Sequence, residues 1–115
     1  MKNLLMLVVF AIISVSASAK EIILDVRTPE EVAAGSIKNS INIDFRKENF
    51  KSEILKLAKN ATYKLYCRSG NRSGQALQLM KELGFKNLQN LGSLEDARKA
   101  LGQFTELGKN TIYSK

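Results

Sequence analysis

The chain contains no histidine and a single cysteine, Cys67, among its 115 residues. The lack of histidine excludes nucleophile pairs of cysteine with histidine, and it excludes metal sites built on histidine. A single cysteine excludes a disulfide within the chain and a two-cysteine redox mechanism. If Cys67 is reactive, its activation must therefore come from the backbone and the charges around it, and no metal or other cofactor is predicted.

The N-terminal residues show the three parts of a secretory signal in the required order. A positive charge precedes the uninterrupted apolar run of residues 4–13, and small residues follow at 14–19. We expect cleavage after Ala19, so that residues 1–19 are a signal peptide and residues 20–115 form one exported, periplasmic domain. The apolar run is too short for a membrane anchor. It has ten residues, and at about 1.5 Å per residue it cannot cross a hydrocarbon core of roughly 30 Å.

The formal net charge is +7 at pH 7, with 18 basic against 11 acidic residues. A basic chain can bind nucleic acid, but here the lysines are scattered with few aromatic residues between them, and an exported protein rarely meets nucleic acid. We therefore expect a solvated basic surface that helps to attract small anions. The sequence has no long apolar surface helix to suggest an obligate oligomer, so we expect a monomer. We also expect that it binds neither nucleic acid nor, after signal cleavage, membranes.

Segments suited to short strands alternate with segments of helical spacing along the chain. Thr28 can cap a helix that begins at Pro29, and Gly84 suits the end of a later helix. A break is expected at Gly92 and Ser93, before the last helix. This alternation predicts an α/β fold with a mostly parallel central sheet and helices on both faces. Strands are predicted at residues 21–26, 40–43, 61–66 and 87–91.

Polar residues are concentrated directly after Cys67, between a predicted strand and the next helix. Open parallel sheets bind their ligands at this edge. The amides of a helix N-terminus carry partial positive charge, and Gly70 allows the loop to curl so that its amides point inward. Together with the charges of Arg68 and Arg72, these amides favour the reactive thiolate form of the cysteine. The candidate site is therefore Cys67 with the loop residues Arg68, Ser69, Gly70, Asn71, Arg72 and Ser73.

A lone cysteine is more often a small buried apolar residue than a nucleophile. Here six polar or glycine residues follow Cys67, so we expect that the thiol is not sealed in a core. An exposed thiol in an oxidising compartment is a liability unless it is used. These arguments favour a catalytic role for Cys67.

The loop CRSGNRS resembles the active-site loop of single-domain rhodaneses, Cys-Arg-x-Gly-x-Arg-Ser/Thr. The upstream stretch DVRTPEEVAAGSIKNSINI and the downstream stretch NLGSLEDARKA resemble the flanking motifs of that family, in the same order. The resemblance covers about residues 21–101, and with the signal peptide the chain is most similar to the small periplasmic rhodaneses of the bacterial phage-shock response. It departs from the family at residues 36–40, which read SIKNS in place of His-Ile-Pro-Gly-Ala, and residues 102–115 have no clear counterpart.

The resemblance implies a thiosulfate sulfurtransferase. Cys67 would attack the sulfane sulfur of thiosulfate, release sulfite and hold a persulfide, from which cyanide or a thiol would take the sulfur. The loop amides would bind the persulfide, Arg68 and Arg72 would attract the anionic donor, and Arg72 would also brace the loop. Asp25 and Arg27 match the Asp-x-Arg of the family and are expected to form a structural pair near the end of the sheet.

Two other classes of protein share parts of this pattern. Cysteine phosphatases and arsenate reductases also hold a thiolate in a loop before a helix, but they place one residue more between cysteine and arginine than separates Cys67 from Arg72. The shorter loop suits one sulfur atom better than a tetrahedral oxyanion. The other alternative is a non-catalytic rhodanese-like module that carries sulfur or binds a partner, although such domains commonly lose the cysteine or the loop arginine.

Overall fold

The computed structural model describes residues 20–103, so the predicted signal peptide and the tail from residue 104 onward lie outside the described residues. Within the described part, no helix is both long and apolar enough to cross a membrane. The same residues contain no cluster of three or more His, Cys, Asp or Glu side chains that could hold a metal ion. The strands are β1 (Glu21–Asp25), β2 (Ile41–Asn42), β3 (Thr62–Cys67) and β4 (Asn87–Ser93), and the helices are α1 (Pro29–Ala33), α2 (Phe50–Ile54), α3 (Asn71–Glu82) and α4 (Leu94–Leu101).

The four strands form one sheet in the order β2-β1-β3-β4, and every pairing in it is parallel. Parallel neighbours need crossover connections, which the intervening helices supply. The predicted α/β fold with a parallel central sheet is therefore confirmed. Because β3 lies between β1 and β4, its last residue, Cys67, lies at the carboxyl edge in the middle of the sheet.

Alternation of side chains along β3 divides the core between the two faces of the sheet. Tyr63, Leu65 and Cys67 are fully buried on one face, in a cluster with residues of α2 and α3. Tyr66 points to the other face and lies in a second cluster with Ala97 of α4. Helices therefore cover both faces, as the sequence predicts, and the Cys67 side chain belongs to the face of α2 and α3.

Capping boxes begin α1 and α4, two of the helices that start at the carboxyl edge of the sheet. The Thr28 hydroxyl accepts a hydrogen bond from the Glu31 amide, and the Glu31 carboxylate accepts one from the Thr28 amide. Ser93 and Asp96 form the same reciprocal pair at the start of α4. Each cap satisfies amides that the helix leaves free and stabilises by about 1 kcal/mol. The predicted start of the first helix is thus confirmed.

The end of β4 differs from the prediction, because the strand continues through Gly92 and Ser93, where the sequence indicates a break. Leu65 of β3 pairs with Asn90, but the next residue, Tyr66, pairs with Gly92, so β4 carries one extra residue. Gly92 accommodates this bulge with a φ of 92°. Such a bulge bends a strand without ending its pairing, and for this reason the expected break is wrong.

The turn at residues 36–40 closes without the proline and glycine of the family pattern. Asn39 has a positive φ of 68°, which asparagine tolerates better than most side chains. The Ser40 amide and hydroxyl both donate to the Ile37 carbonyl, at 3.2 and 2.8 Å. The Ile37 amide donates to the Tyr66 hydroxyl at 2.9 Å, and this bond ties the turn to β3.

Candidate active site

Cys67 ends β3, and the loop of residues 68–70 leads from it into α3. Its Sγ accepts hydrogen bonds from the Gly70 amide at 2.9 Å and from the Ser73 amide and hydroxyl, both at 3.4 Å. The loop thus turns backbone donors inward onto the sulfur. This is the arrangement that a sulfur anion needs.

Two opposing effects act on the thiol. Burial raises the pKa of Cys67, because a thiolate loses its solvation. The hydrogen bonds from Ser73 and from the Gly70 amide, with a smaller contribution from the nearby Ser69 amide, outweigh burial, so the pKa of the thiol lies below its ordinary value. Since the thiolate is the nucleophilic form, the loop activates Cys67 without a histidine.

The thiol is not exposed, and the expectation that it avoids the core is wrong. Cys67 has 0% of its surface exposed and lies in the same apolar cluster as Leu65 and Ala76. The polar residues after Cys67 do not reveal its burial, because strand alternation directs the Cys67 side chain into the core while the loop curls over it. In this conformation Sγ is therefore closed off from solvent.

Two glycines allow the loop to lie against the end of β4. Gly70 has a φ of 99°, and a Cβ at this position would lie 3.3 Å from the Cα of Gly92. A Cβ on Gly92 would lie 2.7 Å from Oδ2 of Asp96, which is too close without a shift. A side chain at Gly70 would therefore push the loop away from β4, and a side chain at Gly92 would displace the Asp96 carboxylate that caps α4.

Arg72 forms a bidentate ion pair with Glu31 of α1, with Nη1 and Nη2 each 2.9 Å from a carboxylate oxygen. Glu31 also accepts a hydrogen bond from the Thr28 amide at 2.9 Å, so its carboxylate joins the loop to the capping box of α1. Bidentate pairs of this kind are stronger and more directional than single contacts. In the sequence, Glu31 has only the appearance of a helix-start residue, and nothing in its spacing indicates a contact with Arg72.

The other polar residues of the loop have different environments. Arg68, Ser69 and Asn71 are exposed on its outer surface, whereas Ser73 is fully buried. The guanidinium of Arg72 is compensated by Glu31, so the charge that the loop presents to solvent is that of Arg68.

We expect the ion pair of Glu31 and Arg72 to make stability fall in acid. The bond from Arg72 and those from Thr28 lower the pKa of Glu31 from 4.5 to about 2. A carboxylate whose pKa is lower in the folded state stabilises the fold above its unfolded pKa, and this contribution is lost as the pH falls from about 4.5 to about 2. We expect a loss of about 1–2 kcal/mol, measured by urea unfolding at about pH 7 and about pH 2.5.

Two variants isolate this effect. Glu31→Gln should be less stable than the wild type near neutral pH and should lose less free energy of unfolding on acidification. Glu53→Gln removes the carboxylate of an exposed pair with Lys56, and it should lose as much as the wild type. If Glu31→Gln is as acid-sensitive as Glu53→Gln, the assignment is wrong.

Asp25 and Arg27 form a buried ion pair at the carboxyl end of β1. Nε and Nη2 of Arg27 donate to the Asp25 carboxylate at 2.9 and 2.8 Å, and the Tyr66 hydroxyl donates to the same carboxylate at 2.6 Å. Arg27 Nη2 also donates to the Gly35 carbonyl at 2.7 Å, so the pair connects β1, β3 and the end of α1. Tyr66 lies on the face of the sheet opposite Cys67, which suits a structural role for this network.

Asn90 of β4 makes three side-chain hydrogen bonds, two to Gly70 and Ser73 and one within β4. Its Nδ2 donates to the Gly70 carbonyl at 3.1 Å, and its Oδ1 accepts from the Ser73 hydroxyl at 2.7 Å and from the Gly92 amide at 3.0 Å. Asn90 was not predicted from the sequence, because a single asparagine in a strand shows no catalytic spacing. Its place in the stretch NLGS, which resembles a family motif, is the only signal that could have drawn attention to it.

Comparison with known proteins relates the chain to a family. Residues 14–100 match the rhodanese-like domain. The chain is 34% identical over 85 residues to the thiosulfate sulfurtransferase PspE of Escherichia coli (strain K12), an alignment that covers 74% of this chain and 82% of that protein.

Solved structures agree with the sequence match. A rhodanese with anions from E. coli superposes with a TM-score of 0.57 at 35% identity, covering 66% of this chain and 89% of that one. A rhodanese-related protein from Thermoplasma volcanium superposes with a TM-score of 0.61 at 31% identity, covering 73% of this chain and 81% of that one. The predicted resemblance and the fold are both confirmed, and the chain belongs to the rhodanese-like domain family.

Proposed function

We propose that the chain is an exported thiosulfate sulfurtransferase that carries the transferred sulfur on Cys67. The geometry around Sγ supports this most directly, because two amides and one hydroxyl donate hydrogen bonds to the sulfur. These donors suit a sulfur anion, and they lower the pKa of the thiol despite its burial. The name of the relative PspE, a thiosulfate sulfurtransferase, supports the choice of donor.

The proposed reaction consists of two displacements at sulfur. The Cys67 thiolate attacks the outer sulfur of thiosulfate, a new S–S bond forms, and sulfite leaves with the electron pair of the broken S–S bond. The enzyme then holds a persulfide anion, which the preorganised loop donors stabilise. Cyanide attacks the outer sulfur and leaves as thiocyanate, or a thiolate takes the sulfur as its own persulfide, and the Cys67 thiolate is restored.

The loop residues have separate roles in this proposal. Gly70 and Ser73 donate to the sulfur, while the exposed Arg68 attracts the anionic donor to the outer face of the loop. The pairing of Arg72 with Glu31 suits the predicted bracing of the loop better than attraction of the donor. We assign no catalytic step to the pair of Asp25 and Arg27, because its network belongs to the other face of the sheet.

In this proposal the enzyme acts in the periplasm after residues 1–19 are removed. The positive charge, apolar run and small residues of this segment support a cleaved signal peptide. Without Lys2, the remaining 17 basic and 11 acidic residues give a net charge of +6, which suits an anionic donor. We propose a monomer that binds neither nucleic acid nor membranes.

Intact-mass spectrometry of the protein purified from the periplasm tests the proposal. We expect a chain that begins at Lys20, gains the mass of one sulfur atom after thiosulfate, and loses it after cyanide with formation of thiocyanate. Tandem spectra should assign the added sulfur to Cys67.

The other outcomes point to the alternatives. No gain in mass, together with hydrolysis of an aryl phosphate, would replace the proposal by a cysteine phosphatase. Neither activity, together with a stable complex with another protein, would replace it by a non-catalytic binding module.

A further inference from the structure

One side chain, Asn90, holds both loop residues that donate hydrogen bonds to the sulfur. Its Nδ2 donates to the Gly70 carbonyl at 3.1 Å, and its Oδ1 accepts from the Ser73 hydroxyl at 2.7 Å. The amide of Gly70 and the amide and hydroxyl of Ser73 in turn donate to Sγ of Cys67. The Gly92 amide, at 3.0 Å from Oδ1, fixes which end of the carboxamide is the acceptor.

We propose that Asn90 is a positioning residue of the sulfur-transfer site, which sets how strongly Gly70 and Ser73 bind the sulfur of Cys67. This inference rests on the proposed function of Cys67. It requires both ends of the carboxamide, because a donor faces the Gly70 carbonyl and an acceptor faces the Ser73 hydroxyl. Aspartate has the same size but lacks the donor, so it loses the contact to the Gly70 carbonyl and keeps an acceptor for the Ser73 hydroxyl.

The Ser73 hydroxyl carries one proton and has two acceptors within reach. Asn90 Oδ1 lies at 2.7 Å and Cys67 Sγ at 3.4 Å, so the shorter contact directs the proton to Asn90 while the sulfur is a neutral thiol. A thiolate competes for the same proton, since hydrogen bonds to ionised acceptors are stronger. Asn90 therefore influences how far Ser73 stabilises the anionic sulfur.

The charged groups that act on the thiolate come from the loop and from its neighbours. Arg72 interacts electrostatically with the Cys67 thiolate, with Glu31 and with Asp44. Arg68 lies at the exposed surface of the loop. The β4 side chain that contacts the loop is a neutral amide, so a charge introduced there is a new contribution.

Asn90→Asp introduces one negative charge within about 6 Å of Sγ, because the contacts from Asn90 to Ser73 and from Ser73 to Cys67 share one oxygen atom. It also places an oxygen against the Gly70 carbonyl, where the wild type has a donor. Both changes disfavour the thiolate. We expect the pKa of Cys67 to rise by about one unit, so that about tenfold less thiolate is present at a pH below it.

An ultraviolet titration of the thiolate, with Cys67→Ser as the blank for tyrosine absorbance, measures this pKa without any sulfur donor. Asn87→Asp is the matched control, since it makes the same chemical change at the other end of β4. Asn87 pairs with Thr62, so it lies about 16 Å from Cys67 along the sheet. It should shift the pKa by less than about 0.2 units, because screening removes most of an interaction at that distance. Equal shifts in the two variants, or no shift in Asn90→Asp, would overturn the proposal.

A second measurement covers the case in which Asn90→Asp does not fold. In Asn90→Ala the Gly70 amide should exchange its hydrogen at least about tenfold faster than in the wild type, while the amide of Leu83 at the end of α3 is unchanged. Unchanged protection of Gly70 would overturn the proposal. If the wild type takes no sulfur from thiosulfate, the proposed function fails, but the titration still tests whether Asn90 positions the donors of the thiolate.

Discussion

The Cys67→Ser variant is expected to transfer sulfur at least about a thousandfold more slowly than the wild type, because it lacks the nucleophile. Serine has nearly the same size, and the donors of Gly70 and Ser73 remain in place. Its hydroxyl is not ionised near neutral pH, however, and it cannot form the S–S bond that holds the transferred sulfur. Formation of thiocyanate from thiosulfate and cyanide measures the loss.

Thermal unfolding separates this chemical effect from damage to the fold. Cys67 is fully buried, so the variant must be shown to unfold within a few degrees of the wild type before its activity is interpreted. A folded Cys67→Ser variant that keeps more than about a tenth of the wild-type rate would show that the transferred sulfur is not carried on Cys67.

Asp25→Asn is expected to have the largest effect on stability, lowering the free energy of unfolding by about 3–5 kcal/mol. The Asp25 carboxylate is fully buried and accepts hydrogen bonds from Arg27 and from the Tyr66 hydroxyl. Asparagine keeps the size but leaves the guanidinium of Arg27, which is 5% exposed, without its countercharge. Urea unfolding at neutral pH measures the loss.

Glu53→Gln is the matched control, because it removes a carboxylate from a pair of similar length. Glu53 lies 2.8 Å from Lys56, but the two side chains are 37% and 70% exposed. We expect a loss below about 0.5 kcal/mol, since exposed pairs are screened by solvent. Equal losses in the two variants would refute the view that the buried pair organises the carboxyl edge of the sheet.

Since the network and Cys67 lie on opposite faces, the folded fraction of Asp25→Asn should still form a persulfide.

Local patterns in the sequence were sufficient to predict most of the fold. Alternation of short apolar strands with helical segments indicated a parallel sheet covered on both faces, and the capping residues around Pro29 marked the start of α1. These features depend on neighbours in the sequence, so they can be read from it directly. The bulge at Gly92 was missed because it arises from pairing with β3, which the sequence of β4 does not contain.

The turn at residues 36–40 shows how a change of sequence can keep a local structure. The family pattern contains proline and glycine, and this chain has Lys38 and Asn39 in their places. Asn39 adopts the positive φ for which glycine is usually required, and the Ser40 side chain adds a second bond to the Ile37 carbonyl. The departure from the pattern therefore changes the residues of the turn without opening it.

The sequence by itself determined the chemistry that Cys67 can perform. With no histidine and no second cysteine, activation of the thiol had to come from the loop amides and nearby charges, and the order of the loop residues identified the family. Only the tertiary structure decided which groups do this. It buries the thiol, pairs Arg72 with Glu31, and brings Asn90 against Gly70 and Ser73. These contacts join residues that are 17 to 41 positions apart, and the parallel sheet creates them by aligning the carboxyl ends of β1, β3 and β4 at one edge.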